Sequence, residues 1–507
     1  MAFRGGPSHE GPTRPLMVVS NREAYLHKRQ ADGSIVAMPT TGGVAVALDA
    51  LMRDRGGTWI AHGAGDADRD VVDAHDRVGV PPEAPTYTLR RIWLTPEEEQ
   101  RYYNGFANQG LWPLCHVVHV RPIFRSEDWD AYRAVNARFA RAIAEELRDP
   151  EAPVFIQDYH LALAAEEVRR IRPGVRTALF WHIPWPDPDR LRMCPWRVEI
   201  IRGLLANDLL AFQLERDRRN FLRGVRDELN AEVRKNSVLF DGRSIRVVAA
   251  PIGVDFDRIQ KIASDPWLAT EATRLRAEFR LNDPDISVIG VGVDRLDYTK
   301  GIPERLTALD QLLSRRPDLR TRLAFVQIGV PSRSKIESYA AIEKESDEQV
   351  AAINSRRGRG PDDGPIRYRK ASMKIRRLVA LYRVADFCIV SSLHDGMNLV
   401  AKEFVAARDD LGGVLVLSEM TGAAQELKDA LIINPYHVDG FTAAIERAIA
   451  MPADERAFRM RVLRRVVAGH DIFVWASDIL QSLEAIPPPV PGSFGGPRKL
   501  SSFDVFH

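Results

Sequence analysis

The stretch SVIGVGVDRLDYTKGIPER, residues 287–305, decides the fold class of the chain. Residues 287–293 form an almost continuous apolar run, which is typical of a strand covered on both faces, as in a parallel sheet. A short polar loop with Arg295 and Lys300 follows, and a helical pattern covers 303–317. The stretch therefore predicts one strand–loop–helix unit of an α/β fold.

The same unit recurs along the chain in two series. The first series of predicted buried strands comprises 15–20, 153–156, 177–181, 209–213 and 246–251. The second series comprises 287–293, 323–330, 386–392, 413–418 and 430–434. Helical patterns cover 128–148, 214–230, 303–317, 333–356 and 374–384. This alternation predicts two facing Rossmann-like, doubly wound domains with a cleft between them.

The domain boundary is expected near Pro251-Ile252-Gly253, directly after the first series of strands. One further amphipathic helix is predicted after the second series, and the Pro/Gly-rich end of the chain is expected to be disordered. The expected segments are a flexible lead-in at 1–14, an N-terminal domain at 15–251, a C-terminal domain at 252–469, a helix at 470–485 and a tail at 486–507.

Composition excludes several classes of function. The net charge of +2 over 507 residues gives no reason to expect nucleic acid or a membrane as partner. The three cysteines, Cys115, Cys194 and Cys388, are far apart, so neither a disulfide framework nor a zinc site is expected. No apolar run reaches the ~18 residues of a membrane span, and the first residues lack the apolar core of a signal peptide. A cytoplasmic location is expected.

Polar residues follow the predicted strands of the N-terminal half, where ligands of such sheets bind. Arg22 follows the first strand, Asp158 and His160 follow the second, and His182 follows the third. The pair Gly42-Gly43 precedes an apolar helical run and could let an anion approach the backbone. An ordinary tight turn explains the glycines as well, and a structural role explains either histidine as well. The glycine pair is not a dinucleotide fingerprint.

The C-terminal half carries the stronger pattern. Arg295 and Lys300 share one loop, Asp395 and Gly396 precede a helix that begins near Asn398, and Glu403 lies about one and a half turns into that helix. Two cations and a helix N-terminus can neutralise an anionic leaving group without a metal ion. Asp66 and Asp68 form an Asp-x-Asp pair, but no obvious strand precedes them, so they are interpreted as surface charge.

Several motifs, in this order, identify a family. They are SNR (20–22), TGGVA (41–45), YYNGFANQGLWPLCH (102–116), DYHL (158–161), HIPWP (182–186), GVDRLDYTKGIPER (292–305), DGMNLVAKEFVAA (395–407) and SEMTGAAQEL (418–427). From about Leu16 to about Leu483 the chain resembles retaining glycosyltransferases of the trehalose-6-phosphate synthase type. The resemblance implies the GT-B fold, with two Rossmann domains and a C-terminal helix that crosses back to the first.

The resemblance also implies a reaction and its partners. Glucose would pass from UDP-glucose to glucose 6-phosphate, giving α,α-trehalose 6-phosphate and UDP with retention of configuration. Both substrates are small molecules, and no cofactor and no metal are expected. Members of the family often form homo-oligomers, dimers or tetramers.

For the donor, the resemblance implies the following roles. Arg295 and Lys300 would hold the diphosphate, Glu403 the ribose, Gly43 a phosphate and His182 the glucose 6-hydroxyl. Asp395 and the backbone that follows it would hold the remaining glucose hydroxyls. That donor segment comprises Asp395, Gly396, Met397, Asn398, Leu399 and Val400.

For the acceptor, Arg22, Tyr103 and Arg333 would bind the phosphate, and Trp112 would shape the pocket beside them. Asp158 would face the hydroxyls of the acceptor sugar. The residues expected to be catalytic are Asp158, His182, Arg295, Lys300 and Asp395. Since the family is thought to react on one face of the sugar, Asp158 and His182 are assigned to positioning and charge stabilisation.

Three positions depart from the family pattern. His394 stands where an arginine is common, Ile60-Ala61-His62 where Gly-Trp is common, and HIPWP where HIPFP is common. His62 could alter the acceptor pocket. A glucosylglycerol-phosphate synthase, with glycerol 3-phosphate as acceptor, therefore stays open, although the aromatic loop 102–112 favours a hexose. A non-catalytic sugar-phosphate sensor and a nucleotide-sugar epimerase are the remaining alternatives.

Overall fold

The structure is a computed structural model that describes residues 15–40, 43–229, 231–357 and 364–486. The predicted lead-in at 1–14, Gly42, and the predicted tail beyond Ile486 lie outside the described residues. Two mainly parallel sheets, each covered by helices, form the two halves of the molecule, so the predicted α/β fold class is confirmed.

The sheet of the first half has ten strands in the order β10-β11-β12-β9-β8-β7-β1-β4-β6-β5, and β2 and β3 form a separate hairpin. Their bounds are β1 (Leu16–Ser20), β2 (Tyr25–Arg29), β3 (Ile35–Pro39), β4 (Gly57–His62), β5 (Arg77–Val80), β6 (Tyr87–Ile92), β7 (Val154–Gln157), β8 (Thr177–Trp181), β9 (Leu209–Phe212), β10 (Glu232–Val233), β11 (Ser237–Phe240) and β12 (Arg243–Ala249). Strands β12 to β6 pair in parallel, and antiparallel strands close both edges.

Helices cover both faces of this sheet. They are α1 (Gly43–Arg55), α2 (Pro96–Glu98), α3 (Trp112–Cys115), α4 (Ser126–Glu146), α5 (Ala164–Ile171), α6 (Pro188–Leu191), α7 (Arg197–Leu205) and α8 (Glu215–Leu229). A segment with π-type hydrogen bonding, Glu99–Leu111, joins α2 to α3 without a break.

The sheet of the second half is parallel throughout, in the order β15-β14-β13-β16-β17-β18. Its strands are β13 (Val288–Arg295), β14 (Leu323–Val330), β15 (Ile366–Arg369), β16 (Phe387–Val390), β17 (Val414–Ser418) and β18 (Leu431–Ile433). Its helices, with the last one included, are α9 (Phe256–Ala263), α10 (Trp267–Glu278), α11 (Ile302–Arg315), α12 (Leu319–Arg322), α13 (Glu337–Arg357), α14 (Ile375–Val384), α15 (Leu399–Ala407), α16 (Val438–Ala450), α17 (Ala453–Gly469) and α18 (Ile472–Glu484).

The segment 102–112 is helical, so the prediction of a loop there was wrong. Tyr102, Phe106 and Leu111 are buried along one side of this helix, and the Phe106 ring lies 4.6 Å from that of Tyr132 on α4. The two glycines and two asparagines of the segment suggested a loop, but burial of its aromatic side stabilises a helix with π-type hydrogen bonds.

The interpretation of Asp68 as surface charge was also wrong. Asp68 is fully buried, and its Oδ1 accepts from the His27 N–H at 2.8 Å and from Arg91 Nη2 at 2.9 Å. Arg91, on β6, is fully buried as well and pairs with Glu23. The carboxylate is compensated by a buried guanidinium, which lies 23 residues away in sequence.

The last helix, α18, returns to the first half of the molecule. The indole Nε1 of Trp475 donates to the carbonyl of Ala250 at 3.2 Å, and the Trp475 ring lies 4.9 Å from the ring of Phe180 on β8. The carboxyl ends of the two sheets thereby face each other across a cleft. No helix within the described ranges combines the length and the apolar character that crossing a membrane requires.

Candidate active site

A cavity of about 360 Å³ opens between the carboxyl ends of the two sheets. Almost all of the predicted site residues line it: Arg22, Tyr103, Trp112, Asp158, His182, Arg295, Lys300, Arg333, Asp395, Met397, Asn398, Leu399, Val400 and Glu403. Gly43 is the first residue of α1, beside Val44, which lines the cavity. The structure thus brings the predicted residues together, while their roles stay predictions.

One end of the cavity is cationic and aromatic. Arg22 Nη2 donates to the hydroxyl of Tyr103 at 3.0 Å. Arg333 donates to the hydroxyls of Tyr159 at 3.1 Å and Tyr339 at 2.5 Å, and its guanidinium carbon lies 4.3 Å from the ring centre of Trp112. Within the described residues Arg22 has no carboxylate at ion-pair distance, so this end carries excess positive charge.

Local hydrogen bonds fix the turn that carries Arg22. The hydroxyl of Ser20, the last residue of β1, donates to the carbonyl of Arg22 at 2.5 Å. The indole of Trp59, on the adjacent strand β4, donates to the same hydroxyl at 2.8 Å. The backbone of Arg22 is therefore held by two neighbouring strands.

The phenol of Tyr103 responds to this charge. Burial raises its pKa, but the cations of Arg22 and Arg333 more than offset burial and lower the pKa of Tyr103 to about 7. The low pKa of this phenol indicates a strongly positive electrostatic potential around it, of the kind that binds an anion such as a phosphate.

The opposite end of the cavity contains a closed ion pair. Lys300 Nζ lies 2.5 Å from Asp395 Oδ2, and Asn398 Nδ2 and Ser392 Oγ each donate to the same oxygen at 3.2 Å. Burial raises the pKa of Asp395, but Lys300 outweighs burial and holds the pKa at about 2. Asp395 is therefore a fixed carboxylate that can accept hydrogen bonds from hydroxyl groups.

Helix α15 begins at this end. Asn398, with φ of 79°, caps the helix by accepting the N–H of Ala401 at 3.3 Å. Leu399 and Val400 form its first turn, whose free N–H groups favour negative charge. Glu403 lies one turn further on, where burial raises its pKa to about 7 and the hydroxyl of Tyr382 donates to it at 3.3 Å.

Arg295 lies between the two ends. It is the last residue of β13, its Nη2 is 3.5 Å from Asp297 Oδ2, and its guanidinium carbon is 5.2 Å from the ring centre of Trp112. Its side chain is 33% exposed, so the charge faces the open cavity.

Asp158 and His182 follow the adjacent strands β7 and β8. Burial raises the pKa of Asp158 to about 7, and its Oδ1 accepts the backbone N–H of His182 at 3.1 Å. The backbone of Asp158 is left-handed, with φ of 75°, a strained conformation that aims the carboxyl at the cavity. Burial lowers the pKa of His182 to about 3, so its imidazole is neutral at ordinary pH.

The cavity also contains residues that the sequence did not single out, among them Asn21, Tyr159, Gln213 and Asp294. Tyr159 lies inside the DYHL motif, and Gln213 ends the predicted strand 209–213, so both carried a positional signal. Tyr339, a partner of Arg333, lies on α13 with no motif around it, and nothing in its local sequence indicated a site.

The three departures from the family pattern lie outside the cavity wall. Trp185 packs in the core against Phe212 and Phe221. His62 ends β4, and its backbone N–H donates to the carbonyl of Asn21 at 3.3 Å. His394 is buried, and its Nδ1 faces the backbone N–H of Val117 at 3.1 Å. His394 therefore contacts the opposite half of the molecule rather than the cavity.

The described residues contain no cluster of three or more His, Cys, Asp or Glu side chains arranged to hold a metal ion. The cysteines Cys115, Cys194 and Cys388 are all buried and free.

Comparison with known proteins gives one family. The sequence model of the family described as glycosyltransferase family 20 matches residues 14–485 of this chain. A trehalose-6-phosphate synthase of Mycolicibacterium vanbaalenii is 39% identical over 497 residues, which cover 96% of this chain and 99% of that protein. A trehalose-6-phosphate synthase of Mycobacterium avium is 37% identical over 494 residues, or 96% of this chain and 98% of that protein.

Solved structures give the same result. A trehalose-6-phosphate synthase OtsA superposes with a TM-score of 0.82 at 32% identity, over 94% of this chain and 100% of that chain. The same values hold for the Escherichia coli protein bound with UDP-2-fluoro glucose. An α,α-trehalose-phosphate synthase (UDP-forming) from Burkholderia xenovorans, in complex with glucose-6-phosphate, gives 0.82 and 32% over 93% of this chain and 100% of that chain.

Proposed function

The chain belongs to glycosyltransferase family 20, and on that premise we propose that it transfers glucose from UDP-glucose to glucose 6-phosphate. The products would be α,α-trehalose 6-phosphate and UDP. The relatives are named for this product, and related structures hold a UDP-glucose analogue or glucose-6-phosphate.

One observation carries the proposal: a single cavity has an anion-binding end opposite a hydroxyl-binding end. Arg22 and Arg333, with the phenol of Tyr103, form an excess of positive charge suited to a phosphomonoester dianion. Asp395 and the start of α15 offer a fixed carboxylate and free backbone N–H groups to a sugar. The attacking hydroxyl of the acceptor and the donor glucose would therefore meet between the two ends, next to Arg295.

The charges on the chain supply a mechanism for the leaving group. As the bond from glucose to UDP breaks, negative charge develops on the diphosphate, and Arg295, Lys300 and the N-terminus of α15 would stabilise it. These groups would make a divalent cation unnecessary, which is why we propose a metal-independent reaction.

Retention of configuration would follow from attack on the face that UDP leaves, with a departing phosphate oxygen taking the acceptor's proton. In this scheme Asp158 and His182 would position the sugars rather than form a covalent intermediate. Neutral His182 suits that role, because at a pKa of about 3 it carries no charge that would attract or repel UDP.

The test is a matrix of donors and acceptors. UDP-glucose and other nucleotide sugars are each paired with glucose 6-phosphate, glycerol 3-phosphate or no acceptor, and UDP and sugar products are measured. We expect turnover with UDP-glucose and glucose 6-phosphate. Use of glycerol 3-phosphate alone would overturn the acceptor, donor turnover without acceptor would favour an epimerase, and no turnover with any pair would favour a sensor.

We also propose that the protein works in the cytoplasm as a homo-oligomer, a dimer or a tetramer. The location is supported by Cys115, Cys194 and Cys388, which are buried and form no disulfide, and the oligomer is supported by the resemblance to the family. Light scattering coupled to size-exclusion chromatography measures the mass in solution, and a mass of one chain would overturn the oligomer.

A further inference from the structure

Four polar groups form a row across the carboxyl ends of four adjacent strands. In the sheet order β12-β9-β8-β7, Ile252 follows β12, Gln213 follows β9, His182 follows β8 and Gln157 ends β7. Strands in a sheet lie about 4.8 Å apart, so side chains at neighbouring strand ends meet. Both glutamines are buried, with exposures of 1% for Gln157 and 2% for Gln213.

The backbone fixes the orientation of both amides. The N–H of Ile252 donates to Gln213 Oε1 at 3.0 Å, so the Nε2 of Gln213 turns the other way and lies 3.5 Å from His182 Nδ1. Gln157 Nε2 points to the carbonyl of Phe155 at 3.5 Å, which leaves Gln157 Oε1 at 2.8 Å from His182 Nε2. His182 therefore has an amide donor at Nδ1 and an amide acceptor at Nε2.

The row continues into the donor segment of the other half. Lys402 lies on α15 between Val400 and Glu403, is 1% exposed, and donates from Nζ to the carbonyl of Ile252 at 2.7 Å. Its second partner is Glu426, whose Oε2 is 2.6 Å away. The backbone of one residue, Ile252, thus links the two halves: its carbonyl accepts from Lys402 on α15, and its N–H donates to Gln213.

From this row we infer that Gln213 is a positioning residue that holds His182 as the neutral tautomer with its proton on Nε2, and that Lys402 ties this arrangement to helix α15. A neutral imidazole carries one proton, and its partners decide which nitrogen keeps it. With Gln213 donating to Nδ1 and Nε2 donating to Gln157, both ring nitrogens are engaged, so the ring is held in one orientation beside the cavity. His182 therefore keeps a fixed position and a charge of zero at the wall of the cavity.

The first experiment is nuclear magnetic resonance of ligand-free protein labelled with ¹⁵N in its histidine rings, with the His182 signals assigned by their loss in His182→Gln. We expect a protonated Nε2 and an unprotonated Nδ1 in the wild type. In Gln213→Glu, a carboxylate cannot donate to Nδ1 and attracts a proton there, so Nδ1 should become protonated. The same exchange at exposed Gln260, Gln260→Glu, is the matched control and should leave the His182 signals unchanged.

The second experiment is kinetic and rests on the proposed function. Gln213→Glu should lower kcat with UDP-glucose and glucose 6-phosphate roughly 10- to 100-fold, the scale of a misplaced substrate-positioning group, with little change in the KM of glucose 6-phosphate. Gln260→Glu should keep the wild-type kcat. Should Gln213→Glu fail to fold, Gln213→Met removes the donor without a buried charge and should lower kcat in the same direction.

The link to α15 has its own test. Lys402→Met removes the donor to Ile252. In the double variant that carries both Lys402→Met and Gln213→Met, the fold loss of kcat should be smaller than the product of the fold losses of the two single variants. Three results would each overturn the inference. They are protonation of His182 on Nδ1 in the wild type, an unchanged tautomer and kcat in Gln213→Glu, and kcat losses in the double variant that simply multiply. A wild type that turns over no substrate would instead overturn the proposed function, since the ring nitrogen signals do not depend on the reaction.

Discussion

The two ends of the cavity handle charge in opposite ways. At the proposed donor end Lys300 Nζ and Asp395 Oδ2 lie 2.5 Å apart and form a direct ion pair. At the proposed acceptor end Arg22 and Arg333 are hydrogen-bonded to phenols. The carboxylate that pairs with Arg333, that of Asp297, is 3.9 Å away and is shared with Arg295.

The difference shows how each end would select its ligand. A closed ion pair offers defined hydrogen-bond acceptors, which suits neutral hydroxyl groups. An excess of positive charge among largely buried side chains is costly until an anion neutralises it, which suits a phosphate group. Arg295 differs from both ends. Its Nη2 lies 3.5 Å from Asp297 Oδ2, and its side chain is 33% exposed toward the cavity between them.

The largest effect is expected where the two ends meet. Arg295→Ala should lower kcat by roughly 10²–10³-fold, because charge on the departing diphosphate would lose one fixed stabilising group. Steady-state kinetics with both substrates saturating measures this. The exposed Arg322 on α12 offers a matched control, and Arg322→Ala should leave kcat unchanged. A loss below about threefold would place Arg295 away from the leaving group.

Arg333→Ala tests the proposed binding of phosphate at the other end of the cavity. Losing a charged hydrogen-bonding group of about 1.5–3 kcal/mol should raise the KM of glucose 6-phosphate roughly 10- to 100-fold and leave the KM of UDP-glucose nearly unchanged. Initial rates over a grid of both substrates separate the two constants. A rise in the KM of the donor instead would contradict the acceptor-phosphate assignment.

The pH dependence of the KM of glucose 6-phosphate gives a third test. The pKa of Tyr103, about 7, means that its phenol is neutral below pH 7 and negative above it. A phenolate repels the phosphate dianion and neutralises Arg22, so the KM of glucose 6-phosphate should rise above pH 7, by at most about tenfold per pH unit.

Tyr103→Phe is the control for this effect. It removes the ionising group, so the KM of glucose 6-phosphate should be higher than that of the wild type at pH 6 but should lose its rise above pH 7. If the rise persisted in Tyr103→Phe, another group would be responsible for it.

The smallest effect is expected from removing metal ions. Because Arg295 and Lys300 would compensate the diphosphate themselves, EDTA should change kcat by less than about twofold, and added Mg²⁺ should not restore anything. Activity that vanished in EDTA and returned with Mg²⁺ would remove the basis for assigning leaving-group stabilisation to these two residues.

The sequence predicted the buried parallel strands well, because strands such as β13 and β14 are apolar on both faces and need no knowledge of their neighbours. It also placed together most of the residues that line the cavity, since residues directly after parallel strands collect at one edge of each sheet. Arg295 and His182 were found in this way.

What the sequence did not predict depends on contacts between distant segments. Strand β6, YTLRRI, reads as polar, yet Arg91 is fully buried because Glu23 and Asp68 lie around it. Tyr339 reaches Arg333 through the packing of α13, which local sequence does not reveal. The role inferred for Gln213 required the order of the strands, which places it beside His182.

Gly396, in the second half of the molecule, lies directly against the backbone of His182 in the first half. A Cβ atom at this position would be 2.2 Å from the carbonyl oxygen of His182, far inside van der Waals contact. Adding one methyl group would therefore force the two backbones apart by roughly 1 Å, given ordinary contact distances of about 3.5 Å. Displacements of that size between reacting groups cost on the order of 100-fold in rate. The absence of a side chain at Gly396 therefore allows the two backbones to lie this close together beside the cavity.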